Sequence, residues 1–219
     1  MPRKPIRLVI VEDQELLAQA LSAVISKLED FELVGCANDG EEGWKLCLKA
    51  RPDLALVDIE MPNVDGLDLG RRLLREPWPV MVMLMSGLTD PYTIWRVCQS
   101  GVQGYVEKTQ GTELLLNAIR CVAAGGTYFS ETFERVKREW LGQPEAFYKI
   151  LSDREQEVLR RVVTGWDDAR IGAHLGISVA TVQVHRKHIR HKLELHNDRD
   201  LVGYARLWGL DRGITPNAA

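Results

Sequence analysis

Two hydrophobic periods alternate along the first 125 residues. Short apolar runs recur at IRLVIV (6–11), FELVGCA (31–37), LALVDI (54–59), VMVMLMS (80–86) and GYVEK (104–108). Runs this short and this uniformly apolar predict strands covered on both faces, as in a parallel sheet. Between them the period becomes that of a helix. Leu17, Leu21, Val24 and Leu28 fall at i, i+4, i+7 and i+11, one stripe of a helix over 15–28. Segments 39–50, 67–75, 90–100 and 112–124 follow the same period less strictly. Five strand–helix units predict an α/β domain, a doubly wound five-stranded parallel sheet with helices on both faces.

The pattern changes after 125. GGTYFS interrupts the chain, and ETFERVKREWL (131–141) then offers Phe133, Val136, Trp140 and Leu141 as one apolar helix face. GQPEAFYK (142–149) reads as loop. Everything beyond 150 is helical in pattern. Ser152 and Glu155 form a capping box opening a helix with Val158, Leu159, Val162 and Val163 inward, and Gly165 should end it. A short helix over 167–175, a turn with Gly176, a longer helix N-capped by Ser178 and a last helix from about 198 to Leu207 complete the chain. Two helices joined by a tight Gly-containing turn, the second basic, are a helix-turn-helix signature. The expected organisation is an α/β domain over 1–126, a helix-bearing linker over 127–149, an all-α four-helix domain over 150–211 and a frayed tail over 212–219.

Charge supports the division. The net charge of −3 is unevenly spread. Residues 1–130 hold thirteen Lys and Arg against eighteen Asp and Glu, whereas 131–219 hold fifteen against thirteen and all five histidines. The four cysteines (36, 47, 98, 121) all lie in the first half without a C-x-x-C pair, so buried free thiols are expected rather than bridges or a metal site. No apolar run approaches the roughly 18 residues of a membrane span, and MPRKPIRLVIVED lacks the features of a signal peptide. A cytoplasmic protein with no membrane association is expected.

Candidate chemistry lies at the strand ends. In an open parallel sheet, ligands bind outside the carboxyl ends of the strands near the topological switch point. The first strand delivers Glu12 and Asp13 there, the third Asp58, the fourth Ser86 and the fifth Lys108. Any one of these has an ordinary explanation: an acid after a strand is often an N-cap, and MP followed by DG is turn chemistry. Together they place three carboxylates at one rim, where they repel and raise each other's pKa unless a cation joins them. Carboxylates suit Mg²⁺. Asp58 would then be a nucleophile toward phosphorus, with the metal, Lys108 and the Ser86 hydroxyl neutralising the phosphoryl oxygens.

The segments VEDQ, LVDIEMPNVDGLDL, LMSG and GYVEKT, over about residues 5–125, resemble the receiver domain of two-component response regulators, which has a flavodoxin-like fold. The resemblance implies that Asp58 accepts phosphate from a sensor histidine kinase. It implies that Glu12, Asp13, Asp58 and the backbone carbonyl of Glu60 hold Mg²⁺, that Ser86 is the switch hydroxyl and Lys108 the family's lysine. Tyr105 matches the aromatic that changes rotamer when that hydroxyl moves. Glu12 stands where the family often has Asp.

The basic segment TVQVHRKHIRHK (181–192) contains no acid. Such a run can be a solvated face, but Val182, His185, Ile189 and Leu193 form an inward stripe. Gln183, Val184, Lys187 and either Arg190 or His191 lie opposite, in a row suited to a major groove. Gln can read adenine, Lys guanine, and Val can touch a thymine methyl. Arg186, Arg190 and Lys192 are placed to contact phosphates. LSDREQEVLRRVVTGWDDARIGAHLGISVATVQVHRKHIRHKLEL resembles the four-helix DNA-binding domain of NarL/LuxR-type regulators, with Thr181 among the matching residues. Trp166-Asp167-Asp168-Ala169 departs from that pattern, putting two acids near the DNA-facing side. The resemblance implies binding to double-stranded DNA as a homodimer, with Val202, Ala205, Leu207 and Trp208 of the last helix in the dimer contact. The outer face of 90–124, with Trp95, is a second candidate dimer surface.

The reading is a response regulator transcription factor that is not an enzyme beyond chemistry at its own Asp58. Two alternatives stand beside it. A phosphorylation-dependent adaptor would use the C-terminal helices to meet a protein. Asp58-Ile-Glu60 superficially resembles the aspartyl pair of haloacid-dehalogenase-type phosphatases, but that family places its pair after the first strand, before a cap insertion.

Overall fold

The computed structural model describes residues 4–62 and 64–212, so the tail expected from 212 lies, from 213 on, outside the described residues. The chain divides into two compact units. The first comprises the residues up to Thr89 and Ile94–Arg135, the second Asp90–Thr93 and the chain from Val136.

The first unit is built on β1 (Ile6–Val11), β2 (Phe31–Ala37), β3 (Leu54–Asp58), β4 (Met81–Ser86), β5 (Gly104–Glu107) and β6 (Tyr128–Phe129), in the order β2-β1-β3-β4-β5-β6. Every pairing is parallel. The helices between and after these strands are α1 (Glu15–Ile25), α2 (Gly40–Ala50), α3 (Gly66–Leu73), α4 (Pro91–Cys98), whose first residues up to Thr93 are grouped with the second unit, and α5 (Thr112–Ala123). Alternation along the buried strands sorts the side chains between two layers. Leu8, Ile10, Leu54, Leu56, Met83, Met85 and Val106 pack with Leu21 and Ile25 of α1 and with Leu115, Ile119 and Val122 of α5. On the other face, α2 and α3 approach closely because Gly43 lies against Val11 and Gly70 against Val82.

The sheet has six strands where the hydrophobic pattern shows five. The sixth is two residues long, lies in the stretch read as a chain break, and pairs Tyr128 with Gly104 and Phe129 with Tyr105. A strand this short leaves no alternation to detect. Cysteine burial also differs from expectation: Cys47 is buried, its thiol pushed up to about 12 by that burial, whereas Cys36, Cys98 and Cys121 are exposed. Cys36 lies on β2, the edge strand, which is covered less completely than the central strands.

Helix α6 (Glu131–Val136) continues as a π-helical turn over Lys137–Leu141, and α7 (Phe147–Ile150) occupies part of the segment read as loop. In the second unit follow α8 (Asp153–Val163), α9 (Asp168–Leu175), α10 (Val179–Lys192) and α11 (Asp198–Trp208). Ser152 and Glu155 form the capping box of α8, and Gly165 follows that helix with φ +83°. Gly176, at φ +66°, ends α9 in the left-handed conformation, and Ser178 caps α10 by accepting the Thr181 N–H at 3.0 Å. The turn is tight enough that a Cβ on Gly172 would meet the Ile177 carbonyl oxygen at 2.7 Å. Helix α10 packs on α8 and α9, and α11 packs on α8.

Candidate functional site

Sheet register brings the acids together. Val11 pairs with Val57, so Glu12, one residue on, stands level with Asp58. Asp58 pairs with Met85 and Ser86 with Glu107, which sets the fourth and fifth strand ends beside them. This is the point where the strand order reverses between β1 and β3.

Glu12, Asp58 and Ser86 are fully buried, and Asp13 and Glu60 are exposed at the rim. Lys108 reaches across the site, its ammonium donating to Asp58 Oδ2 at 2.8 Å and to Glu12 Oε1 at 2.9 Å. The Glu60 backbone N–H donates to Asp58 Oδ1 at 3.2 Å, and the Gln14 N–H to Glu12 Oε1 at 3.1 Å. Burial pushes the Asp58 and Glu12 carboxyls above the usual carboxylate range against the pull of Lys108, and at Glu12 the Asp58 charge adds to it. Glu60 is raised by burial and by Asp58. Burial alone would lower the Lys108 ammonium, but its two carboxylate partners outweigh that and raise it.

One cation does not balance three acids. Glu12, Asp13 and Asp58 each offer a carboxylate oxygen, and these oxygens lie within 4.8 Å of one another. Glu12 Oε2 is buried with no hydrogen-bond partner among the described residues, an acceptor left over in a site of net negative charge. Oxygen donors of this kind and spacing fit a hard divalent cation such as Mg²⁺.

A hydrogen-bonded relay leads away from the acids. The Ser86 hydroxyl accepts the Leu88 N–H at 2.9 Å and donates toward Glu60 Oε2 at 3.5 Å. The Leu88 carbonyl in turn accepts from the hydroxyl of Tyr105, which is fully buried. The Tyr105 ring lies 5.2 Å from that of Phe133 on α6, and Phe133 lies 4.7 Å from Phe129 on β6. Sequence reasoning found Tyr105 but not Phe129 or the place of Phe133 beside it.

In the second unit, α10 presents Gln183, Val184, Lys187, His188 and His191 to solvent, while Val182 and Ile189 are fully buried. Thr181 is half-buried, its hydroxyl 2.8 Å from that of Ser178. Three of the expected phosphate contacts are engaged within the domain. Arg186 donates to Asp168 at 2.7 Å and to Asp198 at 2.6 Å, Arg190 to Asp198 at 2.9 Å, and Lys192 to Glu155 at 2.7 Å. The unexpected acids of the WDDA stretch thereby find structural partners: Asp167 N-caps α9 through the Arg170 N–H at 2.7 Å, and Asp168 holds Arg186. Trp166 stacks against Arg170, whose guanidinium lies 4.2 Å from the ring centre.

The residues expected at a dimer contact on α11 differ in exposure. Ala205 and Trp208 are buried within the chain. The Trp208 ring packs against Trp140 at 5.5 Å and Phe147 at 5.6 Å, so the linker's aromatic residues cover that face. Val202 is half-buried, and Leu207, 59% exposed, is the large apolar side chain that α11 leaves to solvent. Trp95 on α4 is half-buried.

The chain is similar to known proteins along most of its length. Residues 8–120 match the response regulator receiver domain, and 149–205 match the luxR family of bacterial regulatory proteins. The chain is 31% identical over 214 residues to the transcriptional regulatory protein MctR of Rhizobium johnstonii, covering 97% of this chain and 96% of the relative. It is 30% identical over 209 residues to the oxygen regulatory protein NreC of Staphylococcus epidermidis, covering 91% and 96%. Among solved structures, the response regulator ChrA of a heme-sensing two-component system shares 26% identity at a TM-score of 0.56, covering 94% of this chain and 98% of that one. RcsB of Salmonella enterica serovar Typhimurium, bound to a promoter with the phosphomimetic BeF3-, shares the fold at a TM-score of 0.66 and 21% identity, covering 92% and 98%. The receiver match, the luxR-family match and near-full-length relatives place this chain among the two-component response regulators, as a transcription factor with a receiver domain and a luxR-type DNA-binding domain.

Proposed function

We propose that Asp58 accepts a phosphoryl group from a sensor histidine kinase and that the phosphorylated receiver controls dimerisation and sequence-specific binding to double-stranded DNA. The observation that carries this is the buried Asp58 carboxylate held by Lys108 beside Glu12 and Asp13. A carboxylate oxygen of Asp58 attacks phosphorus, a new O–P bond forms, the N–P bond of the phosphohistidine breaks, and the imidazole leaves with the electron pair. Lys108 then turns from the carboxylates toward the phosphoryl oxygens, and the Glu60 N–H keeps the carboxyl group oriented. Glu12, Asp13, Asp58 and the Glu60 backbone would hold Mg²⁺, which when bound neutralises charge on the phosphoryl oxygens.

The Ser86 hydroxyl is the nearest neutral donor on β4. Drawn to a phosphoryl oxygen, it leaves the Leu88 N–H, and the Leu88 carbonyl that holds Tyr105 moves with it. Phosphate thus favours one of two arrangements of this relay, a shift of population. In the second unit the exposed row Gln183, Val184 and Lys187 enters the major groove, with Thr181 at the start of the helix.

The test is labelling of the full chain by acetyl phosphate with and without Mg²⁺, followed by mapping of the labelled peptide. Mg²⁺-dependent label on Asp58, absent from Asp58→Asn, is the expected result; label that survives there without moving to a neighbouring acid defeats the assignment. Retention of genomic DNA fragments that weakens with salt separates a DNA reader from a protein adaptor.

A further inference from the structure

Most of the permanent positive charge on α10 is committed within the domain. Of four permanently charged side chains on this helix, Arg186, Arg190 and Lys192 are each held by an acid of another element. Arg186 is the most enclosed, its side chain 19% exposed and shared between Asp168 at the start of α9 and Asp198 at the start of α11. These ties fix the angle of α10 in the domain, and an arginine already bridging two carboxylates gains little from a phosphate. Lys187 is exposed, and among the described residues it has no acid partner.

Beside Lys187 stand His188 and His191. Both are exposed, and neither side chain makes a hydrogen bond or ion pair among the described residues. Residues 184, 187, 188 and 191 follow the i, i+3, i+4, i+7 spacing of one helix face, so both imidazoles share the face that carries Val184 and Lys187. The acids of other elements that the cations of α10 reach are engaged. Glu155 of α8 is occupied by Lys192, Asp168 of α9 by Arg186, and Asp198 of α11 by Arg186 and Arg190. Arg161 of α8 is in contact with His174 of α9. Glu194, exposed in the turn after α10, donates its backbone N–H to the His191 carbonyl at 3.3 Å.

We infer that His188 and His191, beside the groove-entering Lys187, are the phosphate contacts of the recognition helix, and that Arg186, Arg190 and Lys192 serve as internal ties. This rests on the reading of α10 as the DNA-facing helix. Histidine is the side chain that changes charge in the neutral range, and a phosphate beside it favours the protonated form. DNA binding by this protein therefore takes up protons, and affinity rises as pH falls. A helix whose phosphate contacts were arginines would bind equally well on both sides of neutrality.

The experiment is fluorescence anisotropy of the full chain with a labelled mixed-sequence duplex, titrated over salt at about pH 6 and about pH 8. Sequence-independent affinity isolates the phosphate term. The expected result is binding roughly three- to tenfold tighter at the lower pH, with a salt slope steeper by about 0.9 for each histidine engaged. His188→Gln with His191→Gln should remove the difference, and His188→Arg with His191→Arg should give tight binding at both pH values. The receiver's own carboxylates are unchanged in these variants, so a pH effect that persists in the Gln pair assigns it elsewhere and overturns the inference. Salt-sensitive binding of equal strength at both pH values also overturns it while leaving α10 as the reader. Absence of salt-sensitive binding at either pH overturns the DNA-facing assignment itself.

Discussion

Gly66 lies directly against the backbone of Asp58: a Cβ built on Gly66 would stand 1.8 Å from the Asp58 carbonyl oxygen. The loop after β3 folds back on itself, with the Gly66 N–H donating to the Ile59 carbonyl at 3.1 Å, and α3 begins there. The room that Asp58 occupies is thus set by the missing side chain of a residue eight positions later.

Gly66→Ala is expected to lower stability by about 2–4 kcal/mol and to displace Asp58, reducing phosphoacceptance together with the unfolding midpoint. Gly203 offers the opposite case, since it lies within α11 with nothing among the described residues within 4 Å of its missing Cβ. Gly203→Ala should stabilise by about 0.5–1 kcal/mol through helix propensity alone. Chemical denaturation of both variants checks the pair; equal effects would contradict the close approach at Gly66.

Lys108 and a divalent cation answer the same excess of negative charge. In Lys108→Ala the three acids lose their ammonium, so Mg²⁺ should raise the thermal midpoint by more than it does in the natural chain. Chelation with EDTA should abolish both increments. If the two increments are equal in thermal scans, Lys108 does not share its charge with the metal site.

The Glu155–Lys192 pair predicts an acid-side loss of stability. Burial raises the Glu155 carboxyl, but its hydrogen bonds with Lys192 and Ser152 outweigh that and hold it below its ordinary value of 4.5. The folded state therefore binds a proton less readily than the unfolded chain. The contribution is present above 4.5 and is lost as pH falls through the lower folded value. Lys192→Met should cost about 1–2 kcal/mol at neutral pH, discounted because the lysine is 40% exposed, and progressively less in acid. Urea melts across that range, compared with Glu155→Gln, read out the difference.

Phe133 joins the start of α6 to the receiver sheet. It is 1% exposed and packs on Tyr105 and Phe129, so Phe133→Ala should cost about 3–5 kcal/mol. A cost below about 1 kcal/mol in equilibrium unfolding would show that this segment is not integral to the first unit.

The strand ends were legible in the sequence because each lies at the close of a buried apolar run, and a carboxylate or lysine there contrasts with everything before it. Asp58, Glu12 and Lys108 were readable for that reason. Gly66 was visible only as turn chemistry, since what it makes room for is a backbone atom and not a neighbour in pattern. The ties of Arg186 join residues 18 and 12 positions apart on three different helices, and a basic run read by itself does not show them. Asp167 stood in a good N-cap position, yet the charge of the pair Asp167-Asp168 drew the reading toward DNA. The burial of Trp208 depends on Trp140 and Phe147, which come from a stretch whose docking partner no periodicity reveals.

The short strand at Tyr128–Phe129 has a further consequence. It takes up hydrogen-bonding groups along the outer side of β5 that would otherwise be open to a strand from another molecule. A receiver fragment cut at residue 126 would lose that cover together with Phe133, and in concentrated solution should stick to itself through the uncovered flank. A fragment ending after Arg135 keeps its own guard.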